Sequence, residues 1–168
     1  ERARAVRGVA LASATAAWAN GGGVIKTPTP DFTEIAPGSV ESLLAGVHVK
    51  HAVEEDGAIW AATLDRGLAH RARGARDFAW LDRRSGRLPD DALTRVVRFR
   101  GETWVGLARG GAVKLSARGF EAYGAKEGLP GEEVVEMAVQ GGRLWVLTSA
   151  GLAVLAGRGF APAPVAGE

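Results

Sequence analysis

The chain has no cysteine, which excludes disulfides, thiolate metal sites and a cysteine nucleophile. It has no apolar run of roughly eighteen residues, so no stretch reads as a membrane-spanning helix. Blocks of like charge are also missing. The 21 Lys and Arg are interspersed with 19 Asp and Glu for a net charge of +2, so no nucleic-acid footprint is expected. The glycines of Asn20-Gly21-Gly22-Gly23 are followed by no Lys-Ser/Thr and open no helix, which excludes a phosphate loop. There is no Gly-x-Ser-x-Gly elbow, and Ser85, Ser116 and Ser149 have no nucleophile context. His48, His51 and His70 show neither zinc spacing with cysteine nor a helical His-Glu-x-x-His. No metal, cofactor or catalytic residue is therefore expected.

What the chain does have is a repeat. Trp18, Trp60, Trp104 and Trp145 recur at spacings of 42, 44 and 41 residues, a period that suits a four-stranded propeller blade or a two-helix repeat. Each copy breaks into runs of four to seven residues separated by Gly, Asp-Gly, Gly-Gly or Leu-Pro. Runs that short read as strands, because a helix needs ten or more residues before its stop. Asn20-Gly21, Asp56-Gly57 and Gly141-Gly142 suit the left-handed backbone of tight hairpins. Val113 and Leu115 flanking Lys114 alternate as a strand with one buried face does. With 46% hydrophobic residues the chain can build a real core. The expectation is an all-β chain, a β-propeller of about four four-stranded blades, with approximate repeats 6–40, 46–87, 88–128 and 129–165.

In this reading each tryptophan ends the second strand of its blade and packs between blades, a structural anchor. Phe32, Phe78, Phe120 and Phe160 recur on the fourth strand. The stretch from Arg2 to Ala19, basic at its start and rich in alanine, resembles a secretory signal. Trp18 falls in phase with the other anchors, so the stretch reads instead as strands one and two of the first blade.

Segments 88–116 and 129–156 resemble two-component regulator propeller repeats. The shared pattern is the Leu-Pro start at Leu88-Pro89 and Leu129-Pro130. It continues through Gly101-Glu102-Thr103-Trp104-Val105-Gly106 and Gly142-Arg143-Leu144-Trp145-Val146 to Gly111-Ala112 and Gly151-Leu152. Segment 46–71 matches the second half of the pattern, and segment 6–27 matches through Trp18, Gly23 and phase. The full Trp-aliphatic-Gly-Thr of the family never appears intact. The resemblance implies a ring of usually seven blades, often the periplasmic sensor half of a bacterial histidine kinase that binds saccharide-like or other small ligands. Four blades use all 168 residues. The chain thus reads as a piece of a larger ring completed elsewhere or by another chain, with a homodimer of two arcs as the alternative.

Nine residues before each tryptophan stand Val9, His51, Arg95 and Glu136. First strands of blades line a common axis, so His51, Arg95 and Glu136 are candidate ligand residues, Arg95 as a bidentate anion clamp. Trp80, which has no counterpart in the other copies, is a candidate stacking or partner surface. Asp90-Asp91 and Glu132-Glu133 follow Leu-Pro at equivalent turns and read as solvated loop residues rather than metal ligands. Two functions follow. One is a non-catalytic, periplasmic or extracellular module for a small polar or saccharide-like ligand or a protein partner. The alternative is a propeller lyase similar to those that open streptogramin antibiotics, with a histidine and a magnesium site.

Overall fold

The computed structural model describes residues 32–163 and, as backbone strands alone, residues 18–20 and 23–25. The signal-like stretch, Val9 and most of the expected first blade lie outside these residues. Strands β1 (Trp18–Asn20) and β2 (Gly23–Ile25) form an antiparallel pair in the register Trp18↔Ile25.

Three antiparallel sheets follow, each a meander in chain order. The first holds β4 (Val49–Glu55), β5 (Ala58–Thr63), β6 (Leu68–Arg71) and β7 (Ala79–Leu81). The second is β8 (Leu93–Phe99), β9 (Glu102–Leu107), β10 (Ala112–Leu115) and β11 (Phe120–Tyr123). The third is β12 (Val134–Gln140), β13 (Arg143–Thr148), β14 (Gly151–Ala156) and β15 (Gly159–Pro162). Their first strands β4, β8 and β12 lie side by side, so the sheets pack together as successive blades of a propeller-like architecture.

Local chemistry explains the hairpins. Each first-to-second-strand turn has two residues with positive φ: Asp56-Gly57, Arg100-Gly101 and Gly141-Gly142. That geometry matches the right-handed twist of the flanking strands. Where the third strand of the first two sheets begins, only glycine fits. A Cβ on Gly67 would lie 2.4 Å from the Leu81 carbonyl oxygen, and one on Gly111 would lie 2.2 Å from that of Tyr123. The same two residues join neighbouring sheets, since Gly67 N–H donates to Asp91 O and Gly111 N–H to Glu132 O. The leucines of the Leu-Pro pairs, Leu88 and Leu129, are buried in the main core, which gives that motif its packing role.

Trp60, Trp104 and Trp145 occupy the third position of six-residue strands rather than their ends, because pairing continues to Thr63, Leu107 and Thr148. Two of them do sit between sheets. Trp60 faces the second sheet, where the Arg98 guanidinium lies 4.4 Å over its ring. Trp104 faces the third, with Phe160 edge-on at 6.0 Å and Tyr123 at 4.9 Å. Trp145 is half-buried, lies outside both core clusters, and donates its indole N–H to Gln140 O.

One strand departs from expectation. β3 (Thr33–Ile35), expected beside Phe32 as the outer strand of a first blade, pairs instead with β4 in the register Ile35↔Ala52. It adds a fifth strand at the inner edge of the first sheet and carries Phe32 into the main core beside Val53 and Trp60. The recurrence of Phe32 in phase with Phe78, Phe120 and Phe160 marks a strand here but does not say which edge it joins. A short helix α1 (Pro37–Glu41) and the turn after it then place Val40, Leu44 and Val47 on the far face of the first sheet. There they pack with Ala52, Ile59, Ala61 and Ala69 in a second apolar cluster.

Candidate functional site

The inner strands share an irregularity at one repeat position. The register slips between Val49 and His51, between Leu93 and Arg95, and between Val134 and Glu136. Each slip leaves one residue, Lys50, Thr94 or Val135, without a partner and re-aims the side chain that follows. The structure therefore brings the three candidate side chains into one row, each set by its own bulge.

Their first task is to satisfy backbone. β8 and β12 are edge strands of their sheets, and a buried edge N–H needs an acceptor. Val96 N–H donates to His51 Nδ1 at 3.2 Å, from the second sheet to a side chain of the first. Met137 N–H donates to Glu136 Oε1 at 3.3 Å. That carboxylate is held in turn by Arg95, whose Nε and Nη2 donate to it at 2.6 and 3.0 Å. The bidentate geometry foreseen for an external anion is thus occupied by Glu136, and Arg95 Nη1 also donates to Thr94 O. The inner edge of β4 is covered differently, by β3. His51 Nε2 reaches that strand at Glu34 Oε1, 3.1 Å away.

The row remains partly open. The Arg95 and Glu136 side chains are 25% and 19% exposed, which leaves guanidinium N–H groups and carboxylate lone pairs that further hydroxyls could reach. Such a neutral-sum pair can donate and accept together. Its free charge is small.

Trp80 stands apart from this row. It lies on the outer strand β7, half-buried against the second apolar cluster, with the Arg66 guanidinium 4.6 Å over its ring. His48, just before β4, is mostly exposed and 3.4 Å from Glu41. Asp90 and Asp91 serve their loop: Asp90 accepts from the backbone of Asp91 and Ala92, and Asp91 from that of Arg83.

A second inter-sheet pair carried no repeat signal. Arg98 donates to Glu55 at 2.8 Å and to Thr103 at 2.7 Å while it covers Trp60. Its counterpart one repeat later is an apolar Val139, so periodicity could not reveal it. On the second sheet Lys114 lies 3.1 Å from Glu121 and 3.3 Å from Glu102. The hydrogen bond to Glu121 pushes the Lys114 ammonium above its usual range and holds the Glu121 carboxyl below its own. Burial, and then its hydrogen bond to Glu121, push the Tyr123 phenol up. Among the described residues no three His, Asp or Glu side chains converge as metal ligands, so the magnesium-dependent lyase reading gains no support. Nor, among them, is any helix long and apolar enough to cross a membrane.

Comparison with known proteins places the architecture. The chain resembles the extracellular domain of what is described as a hybrid two-component system of B. thetaiotaomicron, with a TM-score of 0.59 and 21% identity. The match covers 67% of this chain and 16% of that one, so the chain spans about a sixth of its length. At that identity the likeness is one of fold. No known protein family and no curated protein matches the sequence.

Proposed function

We propose that this chain is a non-catalytic recognition segment of a bacterial extracytoplasmic sensor propeller. Its described sheets form part of a larger ring, and the inner row His51, Arg95 and Glu136 contributes to a site for a small polar, saccharide-like ligand. The observation that supports this reading best is the repeated bulge. Three consecutive inner strands use the same irregularity to aim polar side chains along one line, as expected of a lining assembled from several blades. The resemblance to an extracellular sensor domain supports the same reading.

The charge state of the row favours neutral ligands. Arg95 is already matched by Glu136, so a carboxylate or phosphate ligand would have to displace a bidentate partner. A vicinal diol could instead take the remaining N–H groups and accept or donate at the carboxylate. Trp80 serves in this proposal as an outer partner surface, away from the ligand row.

Titration of the chain with neutral mono- and disaccharides and with uronic acids, followed by amide NMR shifts, tests the proposal. Neutral sugars should perturb the backbone of His51, Arg95 and Glu136 more than uronic acids do. A flat response at those residues to every sugar at millimolar concentration would sink the proposal.

A further inference from the structure

The two ring nitrogens of His51 have opposite duties. Val96 N–H donates to Nδ1 across the junction between the first and second sheets. A nitrogen that accepts an N–H carries no proton of its own, so the neutral ring holds its proton on Nε2 and donates it to Glu34 Oε1 on β3. We infer that His51 is a proton-sensitive cap on the inner edge of the second sheet. Protonation places an N–H at Nδ1, where Val96 N–H already points, and the bond between the sheets is lost. The bond to Glu34 persists and becomes an ion pair. Acid thus shifts His51 from the second sheet to β3.

The charged groups around the ring leave this exchange in place. On β8, Arg95 is held by Glu136 and Arg98 by Glu55. On α1, Glu41 accepts from Val49 N–H and lies beside His48. On β4, Lys50, one residue before His51, and Glu54, three residues after it, are both exposed. β5 brings only Ala62 opposite His51. The His51 side chain is 11% exposed, so water can replace the lost acceptor for Val96 N–H only as the junction opens. The neighbouring edge supplies a built-in comparison, since Met137 N–H is capped by a carboxylate that an arginine holds. That cap should not respond when the His51 ring is protonated.

The inference is independent of the ligand proposal and is tested without a ligand. In the ¹⁵N-labelled protein at about pH 8, long-range ring correlations should show the Nε2–H tautomer of His51; the Nδ1–H tautomer would overturn the inference. On protonation of the His51 ring by acid, amide protection at Val96, corrected for intrinsic exchange, should fall roughly three- to tenfold, the worth of one hydrogen bond. Protection at Met137 should hold. Equal behaviour of the two amides would overturn the inference. H51N sets an amide oxygen near the place of Nδ1 and cannot titrate, so Val96 protection should become independent of pH. Persistence of the wild-type dependence in H51N would refute the cap, and should H51N fail to fold, the contrast between Val96 and Met137 in the unaltered protein decides alone.

Discussion

Removal of Arg95 separates a side chain that only faces solvent from one that holds two sheets together. A solvated lining residue would cost less than about 0.5 kcal/mol when truncated. The structure predicts more. Arg95 and Glu136 form a bidentate pair across the second and third sheets, with the side chains 25% and 19% exposed. At an effective dielectric of about 20, charges this close attract by about 4 kcal/mol before desolvation is counted. Desolvation and side-chain ordering remove most of that, leaving a net coupling of about 1–2 kcal/mol, above a surface pair and below a fully buried one. Arg95→Ala strands a partly buried carboxylate, while Glu136→Ala strands the guanidinium and uncaps Met137 N–H. Each single change should cost about 1.5–3 kcal/mol. Urea unfolding of the two singles, the double and the parent gives the coupling as the failure of additivity. High salt should reduce it without abolishing it, because the pair is partly shielded from ions. A coupling within about 0.3 kcal/mol of zero would refute the view that this row holds sheets together.

Two further outcomes follow from the packing and the titrating groups. Trp104→Ala should cost about 3–5 kcal/mol by leaving a cavity between the second and third sheets, whereas Trp145→Ala, from a half-buried site outside both clusters, should cost about half as much or less; equal losses in thermal unfolding would mean the two anchors are equivalent. Tyr123 is the only tyrosine in the chain, so its ultraviolet titration reads one group, and the folded midpoint should lie above the ordinary value of 10.0. Lys114, also raised, acts in the same direction. The stability both groups contribute is fully present below their unfolded values and is lost as pH rises through the folded ones, so stability should begin to fall above about pH 10. A Tyr123 midpoint at or below the ordinary value would contradict the burial described.

The strand character, the meander of the three described sheets and two of their three inner turns were legible because short-range chemistry decides them. Asp56-Gly57 and Gly141-Gly142 favour positive φ by residue type. Arg100-Gly101 adopts it too, but arginine carries no such preference, so only the neighbouring repeats could have marked that turn. The candidate row was legible by counting back from the tryptophans, since the bulges recur at one offset from them. What those residues bond to was not legible. The His51–Val96 bond and the Arg95–Glu136 and Arg98–Glu55 pairs arise between sheets, and a period fixes position within a sheet only. β3 failed for a related reason: its length and composition fit a strand on either edge, and its pairing with β4 is a tertiary choice.

The inner row also explains how one position can carry three different side chains on one fold. The architecture demands an acceptor for an edge N–H at Val96 and at Met137, and nothing more specific. An imidazole nitrogen meets that demand directly at the first junction, and a carboxylate steadied by a guanidinium meets it at the second. Both solutions place the capping atom at the edge and tie the rest of the residue to a charged partner, Glu34 for His51 and Arg95 for Glu136. The identity of the cap is therefore free to vary, provided each new residue still offers one acceptor where the edge requires it. By this argument Glu136→Gln, which keeps an amide oxygen for Met137 N–H, should preserve the third sheet far better than Glu136→Leu, which fills similar volume and caps nothing.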